Sequence, residues 1–348
     1  MTERNLSEML AHALSRRRML GLSLVAVGWP FGRAVTPTQQ APTQQTPDLG
    51  SRQPVSFVTS WYAQAEHGGF YQAQATGIYA EQGLDVTIQM GGTGVNILQL
   101  LAGHGVDFAM GSSLDALNAL AAGIPLVTVA AFFQKDPQCL LVHPDAGIQT
   151  LADLQGHPIY VSPGANLSFW PFLQSRYGFS DDQKRPYAGS LAPFLLDHSA
   201  AQQGYITAET FRFHQQTGFD PGVIWLADYG YNPYVTTIET HRDLIQQDPD
   251  KVRRFVQASI QGWQSYLQDP APAHRLIKQA NPQMNDELLA YGYAQLVERQ
   301  ITGIDPAQIG QMTHQRWQDL YETMVEVGMF PPGLPYRDAY TLDFLPST

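Results

Sequence analysis

The sequence predicts an α/β protein of two units, the first built on a largely parallel sheet with helices on both faces. Three observations carry this. Short apolar runs alternate with helical segments in a β-α-β-α-β-α-β order across residues 55–133. Turns bearing glycine and serine follow several of these strands and open into helices, and ligands settle at such strand ends. The length of 348 residues suits two domains of ordinary size.

Residues 55–60, Val-Ser-Phe-Val-Thr-Ser, read as the first strand. Residues 70–82 read as one helix, with Gly83 just past its end, where a left-handed residue is common. Residues 84–88 alternate apolar and polar, as a second strand does. The turn 91–96 leads into a short helix over 97–102, and 106–110 form a third strand. Gly111-Ser112-Ser113 then caps a helix over 114–122 with a hydroxyl. A fourth strand covers 125–133. The second unit has a short helix at 150–154, a strand at 158–161 and a turn at 162–166. That turn opens a helix carrying Phe169, Trp170 and Phe172. Residues 192–203 look helical, and 223–226 form another strand. The final hundred residues are mostly helical. Val252, Phe255, Val256, Ile260 and Trp263 recur at helical spacing over 249–267, which assigns them to a core.

The composition excludes several function classes. A net charge of −11 argues against nucleic acid, since phosphate binding relies on Lys/Arg clusters. The lone cysteine, Cys139, excludes an internal disulfide and a thiolate cluster. In the run Cys139-Leu-Leu-Val it reads as a small buried hydrophobe. The 10 histidines show no pair at metal-ligand spacing, so no metal is expected. GxSxG, HExxH, P-loop and GxGxxG motifs are missing, so no catalytic residue is expected either.

The N-terminus reads as a targeting segment. Ser15-Arg-Arg-Arg-Met-Leu20 precedes an apolar run ending at Gly28, which makes residues 1–34 an export signal of the twin-arginine type. The run is short for a membrane span. Cleavage near Gly32-Arg-Ala34 and retention as an uncleaved anchor are both open. Residues 35–53, rich in Thr, Gln and Pro, form a flexible linker. The expected divisions are lobe 1 over 54–144, lobe 2 over 145–234, and a return to lobe 1 with C-terminal helices over 235–348.

Candidate ligand-binding residues cluster at the strand ends. Trp61 and Tyr62, beside Phe70 and Tyr71, surround the first β-α turn and could stack on a planar heterocycle. Stacking of that kind contributes about 1–3 kcal/mol per ring, by analogy with nucleic-acid bases. The pairs Gly92 and Thr93, Ser162 and Gly164, and the run Gly111, Ser112, Ser113 place backbone N–H groups at helix starts, where a carboxylate, formyl oxygen or phosphate can bind. His67 precedes Gly68 and Gly69, where backbone can approach a ligand closely. Glu66 reads as a solvated or salt-bridged carboxylate. Glu209 could accept a hydrogen bond from a ligand amino group. Phe169, Trp170 and Tyr231 complete the set as aromatic walls.

The segments Trp61…His67-Gly-Gly-Phe-Tyr-Gln-Ala, Gly77-Ile-Tyr…Gly83-Leu-Asp-Val, Gly105-Val-Asp-Phe-Ala-Met-Gly and Asp248-Pro-Asp-Lys-Val-Arg-Arg-Phe resemble the NMT1/THI5-like family over about residues 55–300. The resemblance implies a type II periplasmic binding protein fold: two lobes, a two-strand crossover and a ligand between. That family holds solute-binding components of ABC importers and also thiamine pyrimidine synthases. In the synthases a lysine holding pyridoxal phosphate would fall at Gly111, a reactive histidine at Asp115, and a cysteine-rich iron run at 230–234. Trp61, His67 and Glu209 would fit a pyrimidine-sized pocket. The resemblance therefore implies a periplasmic, monomeric binding protein without cofactor, partnered by an ABC permease and ATPase. Its implied ligand is a thiamine-pyrimidine precursor such as a formylaminopyrimidine, with flavins and sulfonates also open. The alternative it implies is a pyrimidine synthase using pyridoxal phosphate, histidine and iron.

Overall fold

The computed structural model describes residues 52–92 and 94–346. The expected export signal, almost all of the linker, and Thr93 lie outside the described residues. Among the described residues, ten strands make two five-stranded sheets. The first holds β1 (Gln53–Val58), β2 (Leu84–Gln89), β3 (Phe108–Ser112), β4 (Leu126–Phe133) and β10 (Val235–His241). The second holds β5 (Gln138–Val142), β6 (Ile159–Val161), β7 (Lys184–Pro186), β8 (Ala201–Tyr205) and β9 (Gly222–Trp225).

The two sheets share one plan. Their orders are β2-β1-β3-β10-β4 and β7-β6-β8-β5-β9. In the first, β10 runs antiparallel to both β3 and β4. In the second, β5 runs antiparallel to both β8 and β9. Each sheet is thus parallel except for the strand that arrives from the other lobe, which refines the parallel sheet expected for the first. A strand entering by a crossover starts at the edge where its neighbours end, so it must run the opposite way.

The chain changes sheets between Phe133 and Gln138, and returns between Trp225 and Val235. The first crossing precedes the expected boundary at 145, because β5 already pairs in the second sheet. Arg316 joins the two crossings. Its guanidinium donates to Gln134 Oε1 at 3.1 Å and to the carbonyls of Asn232 and Pro233 at 3.3 and 3.4 Å. It also lies 4.0 Å from the centre of the Tyr234 ring.

Asp136 sits in the same hinge, 2% exposed, accepting the Gln138 N–H at 2.9 Å. Burial pushes its carboxyl from 3.8 up to about 7, against the opposing pull of that N–H and of Arg316. The folded state thus holds this proton more tightly than the unfolded chain. The group's contribution to stability is complete below the unfolded value and is lost as pH rises towards 7. Asp136→Asn should remove that decline. In urea unfolding, the variant should gain on the wild type between pH 4 and pH 7; a constant difference across that range would contradict the assignment.

The first lobe is packed by a close helix pair. The helix Pro249–Tyr266 carries the expected stripe, and Val252, Phe255, Val256, Ile260 and Trp263 are all buried. It lies on the helix Gly68–Ala75 almost backbone to backbone. A β-carbon at Gly262 would fall 2.4 Å from the Gly69 carbonyl oxygen. The Trp263 and Tyr266 rings cover Gly69 and Gly68, where added β-carbons would lie 2.1 Å from ring atoms. These glycines, Gly68 among them, lie against the core rings of Tyr266 and Trp263.

Two expected elements differ. The helix over 70–82 is split by Gly77, whose φ of 82° is left-handed, into Gly68–Ala75 and Ile78–Glu81. The helix over 192–203 stops at Leu196, and β8 follows.

Candidate functional site

The C-terminal ends of the parallel strands in the two sheets converge, and two side-chain hydrogen bonds cross between them. Thr207 Oγ1, just after β8, donates to Glu66 Oε1, just before the helix Gly68–Ala75. Asn118 Nδ2, on the helix Ser113–Ala121, donates to the Leu167 carbonyl at 3.0 Å. Glu66 is 2% exposed, which corrects the solvated carboxylate expected there. Burial raises its pKa, against the opposing Thr207 hydroxyl. Thr207→Val would leave that carboxyl buried without its partner, a loss of about 1–3 kcal/mol. A lowered chemical-denaturation midpoint at constant slope would show it, and an unchanged midpoint would contradict it.

Between the strand ends lies a group of acids and phenols. Asp115 is exposed by surface area yet enclosed enough that desolvation raises its carboxyl. Its Oδ2 accepts the Ser112 hydroxyl at 2.7 Å, and Ser112 Oγ accepts the Asp115 N–H in return at 3.2 Å. Tyr205 is held well above the usual phenol range by burial and then by the fields of Asp136, Glu66, Asp115 and Glu209. Tyr231 is raised by burial, Asp136, Tyr205 and Asp115. Glu239 on β10 is raised well above the usual range by burial and by Asp115. Burial thus favours the protonated forms of these carboxyls and phenols, whose O–H groups donate as well as accept hydrogen bonds.

An open cavity of about 240 Å³ lies on the second-lobe side, lined by Tyr187, Ser190, Leu191, Glu209, Arg212 and Gln216 among others. Glu209 begins the helix Glu209–Thr217. Its Oε2 accepts the Tyr205 N–H at 2.8 Å, and its Oε1 lies 3.2 Å from Arg212 Nη1.

The structure sorts the sequence-derived candidates. Trp61 and Tyr62 are 37% and 39% exposed and meet edge to face at 5.3 Å. Gly92, with φ 132°, lets the Tyr62 ring lie on the backbone; a β-carbon there would fall 2.5 Å from the ring. Gly111 lies directly under the Glu239 carboxylate, 2.5 Å from where its β-carbon would be. Glu209 lines the cavity, and Ser112 holds Asp115.

Other candidates turn inward. His67 is 1% exposed, its Nδ1 has no hydrogen-bond partner, and burial lowers its pKa to about 3. It presents no surface to a ligand in this conformation. Ser113 is buried, its hydroxyl accepting the Tyr234 N–H at 3.0 Å and donating to the Tyr234 carbonyl at 3.2 Å. Phe169 and Trp170 belong to the second-lobe core, and Trp170 Nε1 donates to Asp181 at 3.0 Å. Tyr231 is 2% exposed and packs on Phe172 at 5.7 Å. The Ser162 N–H is not free, since it donates to Gln203 Oε1 at 2.6 Å, while Gly164 is exposed. Sequence reasoning passed over Asp136, Tyr187, Tyr205, Arg212 and Glu239. Asp115 had a legible signal, a carboxylate three residues after a capping serine.

A family model described as NMT1/THI5 like matches residues 64–273. The chain belongs to the NMT1/THI5-like family. Among curated relatives it is 27% identical to the riboflavin-binding protein RibY of Chloroflexus aurantiacus, over 91% of this chain and 92% of that one. It is 20% identical to the formylaminopyrimidine-binding protein of Halalkalibacterium halodurans, over 71% and 76%. It is 22% identical to a 4-amino-5-hydroxymethyl-2-methylpyrimidine phosphate synthase of Saccharomyces cerevisiae, over 84% and 87%. In solved structures, the periplasmic aliphatic sulphonate binding protein SsuA from Escherichia coli superposes with a TM-score of 0.63 at 15% identity, covering 82% of this chain and 91% of that one. This NMT1/THI5-like chain therefore has the periplasmic binding protein fold its segments implied.

Proposed function

We propose that the protein is the solute-binding component of an ABC importer, exported to the periplasm, monomeric, and delivering its ligand to a membrane permease and its ATPase. Its ligand is a small aromatic heterocycle that donates hydrogen bonds, and a thiamine-pyrimidine precursor such as a formylaminopyrimidine leads. The observation that carries this reading is the polar interior of Asp115, Glu209, Tyr205 and Glu239, which can both donate and accept hydrogen bonds, combined with the exposed Trp61–Tyr62 pair. Ring amines find acceptors there, and a ring face finds something to stack on. Arg212, the cation that lines the cavity, already pairs with Glu209 at 3.2 Å, so a sulfonate would have to compete with that carboxylate and an anion is disfavoured. Within the candidate set, Trp61, Tyr62, Ser112 and Glu209 are the proposed contacts.

Riboflavin is the second reading, favoured by the similarity to RibY. The similarity to the formylaminopyrimidine-binding protein supports the single-ring ligand instead. The binder reading also draws support from Gly111. Gly111 offers no amine to hold pyridoxal phosphate where the resemblance would place a lysine. Among the described residues no helix is long and apolar enough to cross a membrane. Isothermal titration with a formylaminopyrimidine and with riboflavin tests the proposal. Saturable binding of the pyrimidine supports it, preference for riboflavin shifts the cargo, and binding of neither counts against the cleft as a heterocycle site.

A further inference from the structure

The second sheet carries a group of metal-ligating side chains at the end opposite the crossings. Val142, the last residue of β5, pairs with Ala201, the first of β8. The segment after β5 and the turn before β8 therefore lie side by side. They bring together His143, Asp145 and His198, each with a ligand atom within 4.8 Å of the others. Sequence spacing hides this group because strand pairing, not chain proximity, assembles it.

The orientation of His143 suits coordination. It is 4% exposed and packed against Phe194 and Phe213, with ring centroids 4.5 and 5.4 Å away. Its Nε2 lies 2.8 Å from the Phe194 carbonyl oxygen. A carbonyl only accepts, so Nε2 carries the proton and Nδ1 keeps its lone pair. A ring N–H tied to a backbone carbonyl is how metal-ligating histidines are usually fixed. The Asp145 carboxylate accepts from His198 Nδ1 at 3.2 Å, which leaves the His198 lone pair on Nε2. The His198 ring is stacked on His143 at 4.1 Å and 11° from parallel, so it has to turn out of that stack for both lone pairs to meet one ion; His198 and Asp145 are exposed and can do so.

We propose that His143, His198 and Asp145 bind one divalent transition-metal ion of the zinc or cobalt class, with water completing its shell. Two imidazoles and one carboxylate form a nitrogen–oxygen donor set suited to such ions. The ion would fasten the segment after β5 to the turn before β8. A second group, His104, His241 and Asp243, serves as a contrast. There His241 Nδ1 accepts the Asp243 N–H at 3.1 Å, so that lone pair is already engaged and the ring's other nitrogen bears the proton.

The test is titration of chelator-stripped, untagged full-length chain with Co²⁺, read as visible d–d absorption, followed by displacement with Zn²⁺. The expected result is one saturable site. His198→Gln and Asp145→Asn should each weaken it at least about tenfold, the lower end of what even outer-shell losses cause. His104→Gln should leave it unchanged. Both His198 and Asp145 are exposed, and far-ultraviolet circular dichroism would confirm that the variants fold. No saturable spectrum, a spectrum that survives His198→Gln, or one lost in His104→Gln would each overturn the proposal.

Discussion

Replacing Gly262 by valine is expected to lower folding stability by more than about 3 kcal/mol, the upper end of overpacking effects. Even one β-carbon would fall 2.4 Å from the Gly69 carbonyl oxygen and 2.6 Å from the Ala73 β-carbon. Neither partner can yield, because Gly69 lies beneath the Trp263 ring and Ala73 is fully buried. The two helices would have to separate, and the rings of Phe70, Phe132 and Phe133 that meet Trp263 would lose contact. Trp263→Ala probes the same interface from the other side, removing a fully buried ring at an expected loss of about 3–5 kcal/mol. Urea unfolding reads both. A Gly262→Val protein as stable as wild type would mean that the helices are not in backbone contact.

Trp61→Ala is expected to weaken binding of a formylaminopyrimidine by about 5- to 150-fold, equivalent to a stacking contribution of about 1–3 kcal/mol. Tyr62→Ala should behave similarly. Both rings are more than a third exposed, so their removal should leave thermal stability close to that of wild type. That separation distinguishes a ligand platform from a core contact. Phe169 and Trp170 should show the reverse pattern, since they are 2% and 1% exposed in the second-lobe core. Unchanged affinity in Trp61→Ala, with binding intact, would remove Trp61 from the site.

Much of the fold is legible wherever burial leaves a period. The stripe of the helix Pro249–Tyr266 and the alternation of β2 are one-sided, so apolar spacing reports them directly. The central strands are harder. β10 reads Val-Thr-Thr-Ile-Glu-Thr-His and is buried along its whole length, with its polar groups satisfied inside the protein. No alternation survives there, and the strand was read only as part of the return. β8, Ala-Gln-Gln-Gly-Tyr, carries helix-forming residues, yet pairing with β6 and β5 overrides their local preference.

The site was legible in its aromatic rim and less so in its interior. Trp61 and Tyr62 follow the first strand, so their place at the strand end follows from topology. His67 and Gly68 adjoin them in sequence, but the short helix that begins there turns both into the core. Loops with serine at a helix start proved to cap those helices or tie the crossings, as Ser112 and Ser113 do. The acidic interior draws Asp115, Glu209 and Glu239 from three distant segments, and only the folded chain assembles them.

The most direct test of the central claim is a thermal-shift comparison of a formylaminopyrimidine, riboflavin and an alkanesulfonate against the folded protein. A ligand at about 100 times its dissociation constant adds about 2.7 kcal/mol, which is readily seen. A polar cleft with an aromatic rim, whose lining cation Arg212 is already paired with Glu209, predicts stabilisation by the aminopyrimidine and none by the sulfonate. Stabilisation by the sulfonate alone would contradict the account, because it would place an anion beside an arginine already paired with a carboxylate.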